Sequence, residues 1–199
     1  MVVCCIARHP SVTVRPGICY GHLDVPLAEK WEDFAARLIR ALRQTGVTRL
    51  YASPLSRCRI PAEYSAAIAG ISVCLDPRLA ELDFGTWEGQ LWNDMPRAEL
   101  DRWAADLMDF APPEGESGRV LCERVTAFHA DLPSEETCAI LSHGGPLRVL
   151  QSLVEGRAPD LSRPALPSGE ILTFSPVTQP EAAEQPVRTE RPSRRVYRL

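Results

Sequence analysis

Apolar residues fall along this chain in short runs that alternate with amphipathic stretches. The first run, Val2–Ala7, suits a buried strand and stops at the turn Arg8-His9-Pro10. Pro16 and Gly17 mark a loop. From Ala28 to Gln44, residues Trp31, Phe34, Ala35, Leu38 and Leu42 fall at helical spacing, and Gly46 supplies a stop. Arg49–Ala52 is a short strand ended by Ser53-Pro54. Ser56–Ala69 reads as a second helix, provided that Pro61 lies in its first turn, because a deeper proline removes a helix hydrogen bond. Ile71–Leu75 is another strand.

Arg78–Gly115 differs in holding Trp87, Trp92, Trp103, Phe84 and Phe110, and Leu100, Trp103, Ala104 and Leu107 mark a helix inside it. Ser117 is an N-cap for a helix carrying Leu121, Val125, Phe128 and Leu132. Thr137–Ser142 predicts a buried strand, Gly145–Val154 a helix with Pro146 in its first turn, and Glu170–Phe174 a last strand. Strands alternating with helices predict one α/β layered domain over residues 1–175. Residues 176–199 are rich in proline, glutamate and arginine without an apolar period, so they read as a disordered tail.

Composition narrows the partners. The 199 residues are 45% hydrophobic and 24% charged, with a net charge of -4, which disfavours a nucleic-acid partner but leaves room for a local anion pocket. No apolar stretch is long enough to span a bilayer, and the opening run is too short for a signal-peptide core, so no membrane partner is expected. The seven cysteines are odd in number and form no C-x-x-C pair, which argues against a zinc site or a disulfide framework and suits a reducing cytoplasm.

Two histidines stand where strands end, His9 and His143, and ligands of open α/β sheets gather there. His143 precedes Gly144-Gly145-Pro146 and a helix. A helix N-terminus offers backbone N–H groups and a positive dipole end to a phosphate, which makes Gly144 a candidate substrate-binding residue. Arg8 lies beside His9, and Arg57 ends the turn Ser53-Pro54-Leu55-Ser56-Arg57.

Arg8-His9, Ser53-Pro54-Leu55-Ser56-Arg57-Cys58, Glu81-Leu82-Asp83-Phe84-Gly85 and Ser142-His143-Gly144-Gly145 follow one another in the order of the histidine phosphatase superfamily, phosphoglycerate-mutase-like branch. The chain resembles that family over about residues 2–155. The resemblance implies a three-layer α/β/α sandwich with a mostly parallel sheet. It implies hydrolysis of a small phosphomonoester through a phosphohistidine, with no metal or other cofactor. His9 matches the nucleophile; Arg8, Arg57 and His143 match the groups holding the phosphoryl oxygens; Glu81 matches the proton donor to the leaving oxygen. The chemistry agrees: neutral imidazole is nucleophilic, arginine pairs two oxygens at once, and the transferring group needs positioned positive charge.

Within the family, Cys19-Tyr20-Gly21, Asp24-Val25-Pro26-Leu27, Trp87-Glu88-Gly89 and Gly115-Glu116-Ser117 look like the α-ribazole phosphatases of cobalamin synthesis. A phosphoglycerate mutase, a broad-specificity phosphatase and an inactive phosphate-binding relative are the alternatives. The short stretch between Glu81 and His143, and the lack of a further arginine pair at a motif position, argue against the mutase.

Pro10 stands where the family commonly has glycine, so any backbone N–H bond to phosphate from there is lost. His22 has two open readings, touching the substrate phosphate or facing solvent. His129 reads as a surface residue, Glu88 as a turn-forming carboxylate, and Asp24 and Asp83 lack a ligand cluster.

Overall fold

The computed structural model describes residues 2–133 and 136–174. Its strands are β1 (Val2–Arg8), β2 (Arg49–Ala52), β3 (Ser72–Leu75), β4 (Thr137–Ser142) and β5 (Ile171–Thr173). Its α-helices are α1 (Trp31–Thr45), α2 (Ser56–Ala69), α3 (Arg97–Ala105), α4 (Gly118–Ala130) and α5 (Gly144–Val154). The strands form one sheet in the order β3-β2-β4-β1-β5, parallel except for β5, which runs antiparallel to β1.

Strand alternation feeds two cores. Ile6 and Ile140 point with Leu121, Val125, Phe128 and Leu147 into the layer of α4 and α5. Ala7, Leu50, Ala139 and Leu141 point with Phe34 and Leu38 into the layer of α1 and α2. Helices therefore cover both faces, giving the three-layer α/β/α sandwich. A third cluster, Cys19, Trp87 and Met95 with Phe84, Trp92 and Trp103 against it, gathers most of the tryptophans away from the sheet.

The elements stand close to their predicted bounds, with informative departures. Lys30 adopts a left-handed backbone (φ 63°), so the first helix begins at Trp31 and not at Ala28. Gly46 closes it in the left-handed conformation (φ 62°) that glycine adopts without steric cost. Pro61 lies inside α2, beyond the first turn. Its missing N–H costs the helix one bond, and the ring is buried in compensation. His129 is half-buried and not a simple surface residue, because α4 turns that side partly inward. Cys5, Cys19, Cys58, Cys74 and Cys122 are free thiols; burial pushes Cys5 up to about 12. Among the described residues no helix is long and apolar enough to cross a membrane. The tail assigned to residues 176–199 lies outside the described residues.

Candidate active site

The parallel register brings three strand ends together. Arg8 stands beside Ser142 in one ladder and Ala52 beside Leu141 in the next. The ladders run one residue further: the His9 N–H donates to the Ser142 carbonyl (3.0 Å) and the Ser53 N–H to the Leu141 carbonyl (3.1 Å). His9, Ser53 and His143 therefore meet, with the two imidazole rings 5.1 Å apart between centroids.

His9 is 1% exposed, and its Nδ1 lies 2.8 Å from the Pro10 carbonyl oxygen. A carbonyl only accepts, so Nδ1 carries the proton and Nε2 keeps its lone pair. Burial pushes the ring down to about 3; Arg57 and Arg8 push the same way, and the Pro10 bond opposes them. The ring is thus neutral over the physiological range, as a nitrogen nucleophile must be. Pro10 contributes its carbonyl here, so its missing N–H leaves the ring's orientation untouched.

Arg57 is fully buried at the start of α2. Its Nε donates to His143 Nδ1 (3.2 Å), Nη1 to the Leu23 carbonyl (3.0 Å) and Nη2 to the Gly21 carbonyl (2.6 Å). One N–H remains on each Nη. His143, also fully buried, accepts at Nδ1 and so carries its proton on Nε2, which faces the Ser53 hydroxyl at 2.8 Å. Burial, then the charge of Arg57, holds this ring well below the usual histidine range. Arg57 and His143 were read from sequence as separate phosphate contacts, whereas the fold ties them to each other.

Arg8 donates from Nη1 to the Leu166 carbonyl (2.7 Å), while its Nε is buried without a hydrogen-bond partner. Glu81 occupies the N-terminus of α5. Its Oε2 accepts from the Gly144 amide (3.0 Å), and its Oε1 from the amides of Gly145 (2.9 Å) and Leu82 (3.0 Å). Pro146 has no N–H, and the Leu147 amide bonds back to the His143 carbonyl (3.1 Å). The Gly144 amide expected to meet a phosphate is therefore held by the Glu81 carboxylate, which the helix dipole favours for the same reason. Glycine at 145 leaves the Glu81 carboxylate its place, since a Cβ there would stand 2.6 Å from Glu81 Oε1.

His22 is half-exposed, its Nδ1 3.6 Å from Asp83 Oδ2, and it is not joined to this cluster by a hydrogen bond. Glu88 forms turns, accepting from the amides of His22, Leu23 and Phe84. Asp24 caps α2 by accepting from Ser56, and Asp83 accepts from the Gly85 amide.

Three residues escaped sequence reasoning. Ser53 opens the Ser53–Cys58 motif, where its sequence context marks only a strand end. Arg124 on α4 donates to the carbonyls of Arg78, Ala80 and Glu81 and to both oxygens of Glu116, fixing the segment that carries Glu81. Arg148 follows Gly144 by four residues on the same helical face, a spacing that was available in the sequence. It lines a cavity of about 400 Å³ together with Arg8, Glu81, Gly144 and Gly145. Phe84, Trp103, Leu107, Leu121 and Leu161 contribute the apolar wall.

Known proteins resemble this chain in sequence and in fold. A probable phosphoglycerate mutase GpmB of Erwinia tasmaniensis is 38% identical over 143 residues, which are 68% of this chain and 66% of that protein. Its counterpart from Cronobacter sakazakii is 35% identical over the same extent. The chain thus spans just under two thirds of the length of these relatives. Among solved structures, the α-ribazole phosphatase from Shigella flexneri superposes with a TM-score of 0.74 at 25% identity, over 84% of this chain and 87% of that one. Bacillus stearothermophilus YhfR gives 0.73 at 26% identity over the same shares. Residues 4–174 match the model of the histidine phosphatase superfamily (branch 1), and this chain belongs to that family.

Proposed function

We propose that this chain hydrolyses a phosphomonoester through a phosphohistidine formed on His9. One observation carries the reading: the Pro10 carbonyl, 2.8 Å from Nδ1, leaves the Nε2 lone pair of a neutral ring free at the end of β1. In the first step Nε2 attacks phosphorus. The P–N bond forms as the bond from phosphorus to the ester oxygen breaks, and Glu81 gives that oxygen a proton. Arg8 and the remaining N–H groups of Arg57 face the charge spread over the phosphoryl oxygens. In the second step water attacks the phosphohistidine, the Glu81 carboxylate takes the water proton, and the P–N bond breaks to release phosphate. Arg57 sets the Nε2–H tautomer of His143, which points a donor toward the same strand ends.

The leaving group would lie in the cavity beside Arg8 and Glu81. Phe84 and Trp103 in its wall support a flat ring, and α-ribazole 5′-phosphate is the first finer reading. Phosphoglycerate mutase activity is the second. One part of the sequence argument against it, the lack of a further arginine pair at a motif position, is weakened by Arg148 in the cavity.

Rapid quench with labelled substrate tests the reading, with an acid-labile, base-stable phosphoenzyme expected and absent in His9→Ala. Label on serine or cysteine would overturn it. A panel of α-ribazole 5′-phosphate, 3-phosphoglycerate and simple monoesters then separates hydrolysis from isomerisation. A protein that binds phosphate and releases none from any monoester would be an inactive relative.

A further inference from the structure

Arg148 is the feature of the cavity that phosphoryl transfer does not use. It stands one turn into α5 from Gly144, while Arg8 approaches Gly144 itself: a Cβ there would lie 3.4 Å from the Arg8 Cζ. Arg8 thus marks the phosphoryl end, and Arg148 the region deeper along the helix. The Arg148 Nε is buried without a hydrogen-bond partner, and its guanidinium makes no hydrogen bond or ion pair among the described residues. Buried donors of native proteins are almost always paired, and this one is left over on a half-buried side chain that lines the cavity. The acid lining the cavity, Glu81, attracts Arg148 through space, but its oxygens are committed to the amides of Leu82, Gly144 and Gly145. Most of the remaining wall is apolar, with Phe84, Trp103 and Leu161 in it; Ser162 is its other polar side chain, and that hydroxyl donates to Asp160. The apolar part keeps the local dielectric low, which strengthens an ion pair formed inside.

We propose that Arg148 is a specificity-determining residue that pairs with an oxyanion, a carboxylate or second phosphate, on the leaving group of the substrate. This rests on the phosphomonoesterase reading and weighs against the first finer choice of substrate, α-ribazole 5′-phosphate. The substrate class is a phosphomonoester whose alcohol or phenol has an apolar body and carries its own anion about one helical turn from the transferred phosphoryl group. Arginine suits the role because its planar fork takes both oxygens of such a group. A neutral leaving group such as α-ribazole leaves that fork without a counter-ion.

The test uses three aryl esters of similar reactivity: phenyl phosphate, 3-carboxyphenyl phosphate and resorcinol bisphosphate. In the unaltered protein kcat/KM should be higher for at least one anionic ester than for phenyl phosphate; the better of the two tells carboxylate from phosphate. Arg148→Met should lower kcat/KM for the preferred ester by about tenfold or more, chiefly through KM. Phenyl phosphate should change by less than about twofold, and Arg148→Lys should recover part of the preference. Equal losses on all three esters, or no preference in the unaltered protein, would overturn the assignment. Calorimetric binding to the His9→Ala chain makes the same comparison without turnover. A binding preference that depends on Arg148 in a protein that hydrolyses none of the esters would refute the phosphatase reading and keep the subsite; no preference in either assay refutes the subsite.

Discussion

The Nε of Arg57 donates to Nδ1 of His143 over 3.2 Å, joining two fully buried side chains that are 86 positions apart. The contact fixes the His143 tautomer, so Nε2 carries the proton toward Ser53. Through Nη1 and Nη2 the same guanidinium holds the carbonyls of Leu23 and Gly21. One side chain therefore sets a ring and a loop together.

Lysine cannot reproduce that fork. Arg57→Lys should reduce kcat/KM by about tenfold or more and destabilise the fold by about 2 kcal/mol, since at least one buried acceptor loses its donor. Thermal melts and steady-state kinetics measure both. An unchanged melting temperature with lost activity would confine Arg57 to substrate contact.

Glu81 joins a chemical and a structural task. Glu81→Gln should slow alkyl phosphates far more than nitrophenyl phosphate, whose leaving oxygen needs little help from an acid. It should also cost about 1 kcal/mol of stability, because the amide sets an NH₂ group against backbone donors at the start of α5. Equal rate losses on both substrates would remove the proton-donor role.

Gly145→Ala probes the same carboxylate without altering it. The added Cβ would meet Glu81 Oε1 at 2.6 Å, so the carboxylate must shift. Alkyl phosphate turnover should fall while nitrophenyl phosphate turnover is largely kept. A crystal structure of the variant with Glu81 in place and normal alkyl turnover would contradict the tightness of this cradle.

Arg124 acts through the backbone of residues 78–81 and is a positioning residue. Arg124→Met should lower kcat for alkyl esters by about tenfold with little change in KM, since the phosphoryl clamp stays intact. A rise in KM alone would place its effect on binding instead.

Acid should weaken the fold through its neutral histidines. Burial holds His9 at about 3 and His143 well below its usual range, while the unfolded chain takes up both protons near 6.5. The unfolded state binds more protons in the window from about 6.5 down to about 3, so stability falls as pH falls through it. Melting temperature should decline across this window more steeply in the unaltered chain than in His143→Asn. Parallel slopes would mean that His143 is not held neutral.

Much of this molecule follows from local pattern. Apolar periodicity over Ala28–Gln44 located α1 (Trp31–Thr45), and an apolar run placed β4 at Thr137–Ser142, because burial leaves its pattern in the nearby residues. Strand ends followed from those runs, and with them the positions of Arg8, His9 and His143. Partnerships were beyond such reading. That Arg57 spends its Nε on His143, that the α5 amides hold Glu81 and not a phosphate, and that Arg124 braces Glu81 all join segments distant in sequence. Arg148 shares its helical face with Gly144 in the sequence itself, yet that its Nε lacks a partner, in a cavity also lined by Phe84, Trp103 and Leu161, appears only in the fold. A side chain's periodicity says which way it faces. The strand register and the packing of layers decide what it meets there, and hydrogen bonds form with what is met.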